Sequence, residues 1–239
     1  MNYDTRFLDR IIISADIMSV SLDKPEHYEF QPGQFCFLNL QSIGIQDERG
    51  LRRHLSIASA PHEKKLLFAT KISASAFKQT LLEMPLGNMI AIEPPLGTFT
   101  LPEQTAKPVI CLAGGIGITP FRSFVHYIIN AQTDHEVTLF YSSRVPEEAV
   151  FLNELQSIAD THEHISVVAT MTRIDTSSTT WSGLTGRLNP SMIKEGCKGW
   201  RDAIYYIAGP PKMSDGMKDL LQEMDIHPDL IRVEKFVGY

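Results

Sequence analysis

The fold of this chain is decided by the stretch Ala113-Gly114-Gly115-Ile116-Gly117-Ile118-Thr119-Pro120. An apolar run at 109–113 precedes it, and apolar residues follow it at the helical spacing i, i+3, i+4, i+7 and i+8. The pattern predicts a strand, a tight turn and a helix. Gly115 and Gly117 leave backbone N–H groups open to a phosphate, and the helix N-terminus adds a partial positive charge. Thr119 supplies a hydroxyl and a cap, and Pro120 suits the first helical position.

The turn alone leaves its ligand open, because a tight turn that binds nothing has the same sequence. It lacks the Gly-Lys-Ser/Thr ending of a Walker-type NTPase loop, which disfavours that class. Pro120 also stands where a G-x-G-x-x-G motif has its last glycine.

The two halves of the chain differ in their hydrophobic patterns. Residues 1–102 contain short apolar runs separated by Pro/Gly turns, which predicts an antiparallel β-barrel or sandwich with one short helix after Ser75. From residue 103 onward strand and helix patterns alternate, which predicts a parallel sheet with helices on both faces. We therefore expect two domains, at 1–102 and 103–239.

Composition excludes several classes of protein. The net charge of −6 argues against a nucleic-acid partner. The three cysteines have no metal-ligand spacing, so we expect buried thiols and no metal site. There is no signal-peptide pattern and no apolar stretch long enough for a membrane span, so a cytoplasmic enzyme is expected.

A second stretch, Arg53-His54-Leu55-Ser56-Ile57-Ala58-Ser59, places a cation beside a strand that carries hydroxyls. Taken alone, it could be an exposed edge strand. In Lys71-Ile72-Ser73-Ala74-Ser75, however, another strand ends in hydroxyls at a helix start, where Ser75 is the expected N-cap. Arg53 and the free N–H groups after Ser75 would hold a pyrophosphate from two sides.

In these motifs the chain resembles the ferredoxin–NADP reductase superfamily, over essentially its whole length and in the same order. The resembling pieces are Pro32-Gly33-Gln34-Phe35, Arg53-His54-Leu55-Ser56, Ser73-Ala74-Ser75, Pro95-Leu96-Gly97-Thr98-Phe99, the glycine turn, Ala208-Gly209-Pro210-Pro211 and Glu234-Lys235-Phe236-Val237-Gly238-Tyr239.

The resemblance implies an N-terminal FAD-binding barrel, a C-terminal NAD(P)-binding α/β domain, and a role for each matching residue. Arg53 would bind the FAD pyrophosphate, Leu55 would lie against one face of the flavin ring, and Ser56 would hydrogen-bond near its N5 atom. The other residues expected to bind cofactor are Lys71, Ser73, Ser75, Gly115, Gly117, Thr119, Gly209, Pro210 and Phe236. The residues expected to be catalytic are Ser56, Glu234 and Phe236, with the last two beside the other ring face.

Three departures from the family pattern alter these expectations. Leu55 replaces the family's aromatic residue, so one stacking partner is missing. Ala208 replaces a cysteine that some members carry, which removes one nicotinamide contact. The sequence also has no cysteine-rich extension after Tyr239, so no iron–sulfur cluster is expected.

The nucleotide is expected to be NADPH, with NADH possible. The strand pattern at 137–141 has no acidic residue at its end, where one would favour a bare ribose. The next strand ends in Thr172-Arg173, a hydroxyl and a cation that suit a 2′-phosphate and match its position in the family.

The function implied is that of an FAD-dependent NAD(P)H oxidoreductase, which transfers hydride from nicotinamide to flavin N5. Electrons would then pass to a separate acceptor such as ferredoxin, flavodoxin or an oxygenase component. Two alternatives stay open. One is a flavin or ferric reductase that acts on small molecules. The other is a flavin electron-transfer subunit that does not itself oxidise NAD(P)H.

Overall fold

The computed structural model describes residues 2–103 and 105–236. The strands are β1 Tyr3–Ser14, β2 Ile17–Asp23, β3 Phe35–Asn39, β4 Arg52–Ser56, β5 Lys65–Lys71, β6 Met89–Ile92, β7 Val109–Gly114, β8 Val137–Ser143, β9 Ile165–Met171, β10 Leu184–Thr185, β11 Ile204–Gly209 and β12 Ile231–Lys235. The α-helices are α1 Ala76–Glu83, α2 Thr119–Ala131, α3 Leu152–Ala159, α4 Pro190–Gly196 and α5 Pro211–Glu223.

The first six strands form one antiparallel sheet in the order β4-β3-β6-β1-β2-β5. The sheet curls until its outer strands β4 and β5 contact each other, and α1 packs its apolar face into the enclosed core. The apolar run Ile11-Ile12-Ile13 of the sequence lies within β1, which begins well before it at Tyr3. The alternation of Met18, Val20 and Leu22 with serines was the available signal for β2, since these three side chains are fully buried.

The last six strands form a parallel sheet in the order β10-β9-β8-β7-β11-β12. Alternate residues of β7 face opposite sides, as expected of a strand buried on both faces. Val109 and Cys111 pack with α2 and α3, whereas Ile110 and Leu112 pack with α4 and α5. The predicted parallel sheet with helices on both faces is therefore confirmed.

The two sheets are joined through a shared apolar cluster. Ile17, Ala69 and Phe99 come from the first half and pack with residues of β7 and α2. Gly33 has a positive φ of 91°, and a Cβ there would lie 2.1 Å from the Phe99 carbonyl oxygen and 2.5 Å from the Phe124 ring. Glycine is therefore required where this turn meets α2. The division of the chain at residue 103 stays a prediction.

Three further findings concern the described part of the chain. Cys36, Cys111 and Cys197 are free and buried. No group of three or more His, Cys, Asp or Glu side chains within residues 2–103 and 105–236 is arranged to hold a metal ion. None of the helices described there has the length and apolar character needed to cross a membrane.

Candidate functional site

A small cationic cavity lies between β4, β5 and the start of α1. Its volume is ≈ 260 Å³. The side chains that line it are those of Phe37, Arg49, Arg52, Arg53, His54, Leu55, Thr70, Ser75, Phe77 and Lys78. Burial, followed by the nearby charges of Lys71, Arg49 and Arg53, lowers the pKa of Lys78 to about 8. Four basic side chains around so small a volume favour a multiply charged anion such as a phosphate.

Arg53 is anchored to the loop that precedes β4. Its Nη1 donates to the carbonyl oxygens of Arg49 at 2.7 Å, Gly50 at 3.1 Å and Arg52 at 2.7 Å. Its buried Nη2 has no hydrogen-bond partner among the described residues and lies 4.0 Å from the Asp47 carboxylate. The Nη1 edge of the guanidinium thus holds the loop before β4 in place, and the Nη2 edge faces the Asp47 carboxylate.

The N-terminus of α1 is capped by Asp47 and not by the predicted residue. Ser75 has the extended backbone of an N-cap, but its side chain makes no capping hydrogen bond. The Ala76 N–H instead donates to Asp47 Oδ2 at 2.7 Å. This bond, with smaller contributions from the Arg49 and Gly50 amides and the Arg53 charge, outweighs desolvation and lowers the pKa of Asp47. A carboxylate from a distant loop therefore lies between Arg53 and the helix, where the sequence predicts a pyrophosphate.

Two hydroxyls at the cavity fit the same phosphate chemistry. Thr70 is fully buried, and neither its Oγ1 nor the Ser75 Oγ has a hydrogen-bond partner within the described residues. Buried polar atoms without partners are rare in folded proteins, so they mark a place for a polar ligand. The cations, hydroxyls and helix N-terminus together fit the phosphate part of a flavin nucleotide.

The residues that follow Arg53 differ in how far they are buried: His54 and Leu55 both line the cavity, and Leu55 also reaches the barrel core. Leu55 is 7% exposed and packs in the barrel core as well as lining the cavity. His54, given no role in the sequence analysis, lies against the rings of Phe35 and Phe37 with centroids 5.4 and 5.5 Å away. Ser56 is the last residue of β4 and is buried.

The end of β5 separates this first cavity from a second one. Thr70 lines the first and its neighbour Lys71 lines the second, because consecutive side chains of a strand point to opposite faces. Lys71 also pairs with Asp16 at 3.4 Å. The Ser73 carbonyl accepts a hydrogen bond from Gln79 Nε2 at 2.7 Å.

The second cavity, of ≈ 780 Å³, opens beside the glycine turn. Gly115 has φ +52° and open space around its α-carbon, and it lines the cavity together with Gly114 and Ile116. Gly117 is required for a different reason than predicted, since a Cβ there would lie 2.2 Å from the Ala208 carbonyl oxygen. Its lack of a side chain allows the turn to pack on β11.

Thr119 also differs from its predicted capping role. Residues Gly115–Ile118 form a 3-10 turn, and Thr119 is the first residue of α2, followed by Pro120. The Thr119 side chain is buried, and its Oγ1 donates to the Ile116 carbonyl at 3.0 Å. The Thr119 hydroxyl therefore stabilises the 3-10 turn that precedes α2.

Exposed cations line the far side of the second cavity. They include the predicted Arg173, with Thr172 beside it, and also Arg187 and Lys212, which the sequence analysis missed. Lys212 directly follows the Gly209-Pro210-Pro211 motif, which was the available signal. Arg144 lies there too, but it donates to Asp16 at 2.6 Å and to Glu148 at 2.7 Å. These two carboxylates neutralise Arg144, which leaves the other cations to meet a ligand.

The last described residues pack beside β11. The Phe236 N–H donates to the Gly209 carbonyl at 2.9 Å, and Pro210 lines the second cavity. Burial raises the pKa of Glu234 to about 7, and its Oε2 has no hydrogen-bond partner among the described residues. The matching residues Val237, Gly238 and Tyr239 lie outside the described part.

Comparisons with known proteins agree with this architecture. Residues 111–219 match the model of the oxidoreductase NAD-binding domain. The propane 2-monooxygenase reductase component of Rhodococcus jostii (strain RHA1) is 24% identical, over 95% of this chain and 61% of its own length. The glycine betaine monooxygenase reductase subunit of Chromohalobacter salexigens is 24% identical, over 84% of this chain and 54% of its own length. The chain thus spans less than two thirds of either relative.

Among solved structures, a ferredoxin NADP+ reductase from Neisseria gonorrhoeae with bound FAD and NADP has a TM-score of 0.80 at 22% identity. The match covers 98% of both chains. Residues 111–219 are therefore similar to an NAD-binding oxidoreductase domain, and the chain has a two-domain fold of the ferredoxin–NADP reductase type. The resemblance and the fold class predicted from sequence are confirmed.

Proposed function

We propose that this chain is a flavin-dependent NAD(P)H oxidoreductase that passes electrons to a separate acceptor. The observation that carries the proposal is the adjacency of two cavities at the end of β5, one lined by phosphate-binding groups and the other by an open glycine turn. Residues 1–102 would hold FAD and residues 103–239 the nicotinamide nucleotide. The acceptor is proposed to be a protein, and the reaction is proposed to take place in the cytoplasm.

The residues at and beside the two cavities have distinct roles in this scheme. Arg53, Thr70 and Ser75 bind flavin phosphate, and Lys78 adds positive charge beside them. Leu55 and Phe236 border the flavin ring, and Ser56 orients its reactive edge. Gly115 and the start of α2 bind the nucleotide pyrophosphate. When bound, the flavin supplies the redox chemistry, accepting hydride from nicotinamide and releasing electrons.

The nucleotide is proposed to be NADPH. Arg173, Arg187 and Lys212 surround one cavity and are exposed, so a 2′-phosphate can reach all three side chains. A bare ribose would leave this charge unpaired. The preference for NADPH over NADH would then depend on these cations.

Anaerobic mixing tests the function. Protein loaded with FAD is mixed with NADPH or NADH, and the visible flavin absorption is followed. We expect bleaching by NADPH and slower bleaching by NADH. Unbleached flavin with both nucleotides contradicts the oxidoreductase and leaves an electron-transfer subunit that does not oxidise NAD(P)H.

A second candidate, a reductase of free flavin, is favoured by Asp47. This carboxylate contacts the Ala76 N–H and faces Arg53, so a flavin phosphate must compete with it. Competition weakens flavin binding and favours exchange with solvent. Retention of FAD on gel filtration supports the tightly bound cofactor, whereas loss of FAD with steady NADPH-dependent reduction of added flavin supports this candidate.

A further inference from the structure

Arg122 is a buried cation that contacts both halves of the chain. It lies one turn into α2 with 7% of its side chain exposed. Nη1 donates to the Glu63 carboxylate at 3.0 Å and to the Ala58 carbonyl at 2.9 Å. On the other side, Nη2 and Nε donate to Glu154 of α3 at 2.7 and 3.0 Å. Loss of one partner of a buried charge strongly destabilises a protein. These contacts therefore hold the arginine in one place.

The neighbouring residues strengthen the same junction. The buried Ser123 donates its hydroxyl to the Ser59 carbonyl at 2.7 Å. Glu63 is itself held by its own turn, because its carboxylate accepts from the Ala60 N–H at 2.5 Å and its N–H donates to the Ala60 carbonyl at 3.0 Å. The partners in the first half are thus on a well-ordered turn.

The Glu154 carboxylate of this junction is ionised at neutral pH. Burial favours the neutral acid, but hydrogen bonds from His126 and Arg122 and the charge of Arg122 hold the pKa of Glu154 at about 2. His126 Nε2 lies 2.8 Å from the same carboxylate.

These contacts join the two segments that carry the proposed reaction. Ala58 follows Ser56 by two residues, and Ser56 is proposed to lie at the reactive edge of the flavin. Arg122 follows Thr119 by one helical turn, and the start of α2 is proposed to bind the nucleotide. We infer that Arg122, with Glu63 and Ala58, is the positioning residue that sets the distance between flavin and nicotinamide. The inference rests on the proposed function.

The physical reason is the short range of hydride transfer. The reacting atoms must approach to about 3–3.5 Å, and a misplacement of about 1 Å can lower the rate ~100-fold. Among the described residues, the Arg144–Asp16 ion pair at 2.6 Å also joins the halves, but only through one nitrogen and with both side chains more than a third exposed. Arg122 is buried and uses its forked guanidinium, so it tolerates small sliding movements less well. Arg122 would thus restrict the movement of α2 along the first sheet.

The test compares Glu63→Gln with Glu154→Gln, because both remove a carboxylate from the same arginine. Only Glu63 reaches across the two halves. Nitroxide labels are attached in Glu83→Cys and Lys218→Cys, both exposed, and the native cysteines are buried. Pulsed electron spin resonance measures the distance distribution between the labels. Stopped-flow absorption measures flavin reduction, and titrations measure the Kd values for FAD and NADPH.

We expect Glu63→Gln to broaden the distance distribution and to slow flavin reduction about tenfold, with both Kd values within twofold of the original. Glu154→Gln should lower thermal stability and leave the distance distribution unchanged. The distance measurement needs no flavin, so an unchanged distribution in Glu63→Gln overturns the inference even where the protein oxidises NADPH. A broadened distribution with an unchanged reduction rate overturns the positioning role. Failure of the original protein to oxidise NADPH contradicts the proposed function separately.

Discussion

The two cavities on either side of the β5 end differ in how the chain prepares them for a ligand. In the first, the chain supplies both the cations and a carboxylate, since Asp47 lies between Arg53 and the start of α1. In the second, an open backbone turn at Gly115 faces three exposed cations, Arg173, Arg187 and Lys212. A ligand phosphate beside Arg53 and the Ala76 N–H would compete with an internal anion, whereas a ligand of the second cavity would meet an open turn and exposed cations.

Because of this difference, the first cavity would determine how tightly flavin is retained, and the second would determine which nucleotide is recognised. In the proposed function, flavin affinity would depend on the balance between Arg53 and Asp47, so it would be sensitive to small changes of charge. Nucleotide affinity would depend on backbone geometry plus surface cations, so the loss of one cation would change selectivity more than binding as a whole. Substitutions at each cavity test this comparison.

The largest effect is expected from Arg53→Ala, which removes the guanidinium that faces the phosphate. Charge-assisted hydrogen bonds contribute about 1.5–3 kcal/mol, so FAD should bind about 10- to 100-fold more weakly. The measurement is the flavin content after purification and the Kd on reconstitution.

Arg10→Ala is the matched control for that experiment. Arg10 donates to the Leu81 and Met84 carbonyls at the other end of the same helix, at 3.0 and 3.1 Å. It should lower stability without changing the Kd for FAD. Normal flavin content in Arg53→Ala would refute the phosphate role of Arg53.

An intermediate effect is expected from Arg173→Ala in the second cavity. The KM for NADPH should rise about tenfold, because one cation facing the 2′-phosphate is lost, and the KM for NADH should stay nearly unchanged. NADH serves as the internal control. If both KM values move together, or neither moves, Arg173 does not discriminate between the nucleotides.

The smallest effect is expected from Asp47→Ala, and it has the opposite sign. Removal of the internal carboxylate should strengthen FAD binding about threefold, because the phosphate no longer competes for the Ala76 N–H and Arg53. Isothermal titration with FAD measures the change. Asp47→Asn, which keeps the shape and loses the charge, should shift affinity in the same direction. Unchanged binding in both variants would show that Asp47 does not compete with the phosphate, and weaker binding in both would show that Asp47 supports the flavin site.

Local sequence patterns predicted much of the fold and part of the site. The glycine turn, α2 and the parallel sheet followed from hydrophobic spacing and from the residue types at a strand-to-helix turn. Arg53 and Ser75, which the sequence places at one phosphate site, line the same cavity, and Arg173 lines the other. The functions of these residues remain predictions.

Other features depend on contacts between distant segments and have weak local signals. The capping of α1 joins Asp47 to Ala76, and Gly117 packs against Ala208 from another strand. Thr119 was predicted to cap a helix, but its hydroxyl closes the preceding turn. Arg187 and Lys212 line one cavity with Arg173 only because two loops and the start of α5 lie at one edge of the sheet.

The sequence by itself determined a two-part chain with a curled antiparallel sheet before a parallel one, because periodicity and turn residues act over only a few positions. The tertiary structure decided which charges meet. It paired Arg144 with Asp16, placed Asp47 beside the α1 N-terminus, and enclosed Arg122 between Glu63 and Glu154. Such pairs join residues far apart in the chain, and their energies depend on burial and distance, which exist only after the sheets have packed.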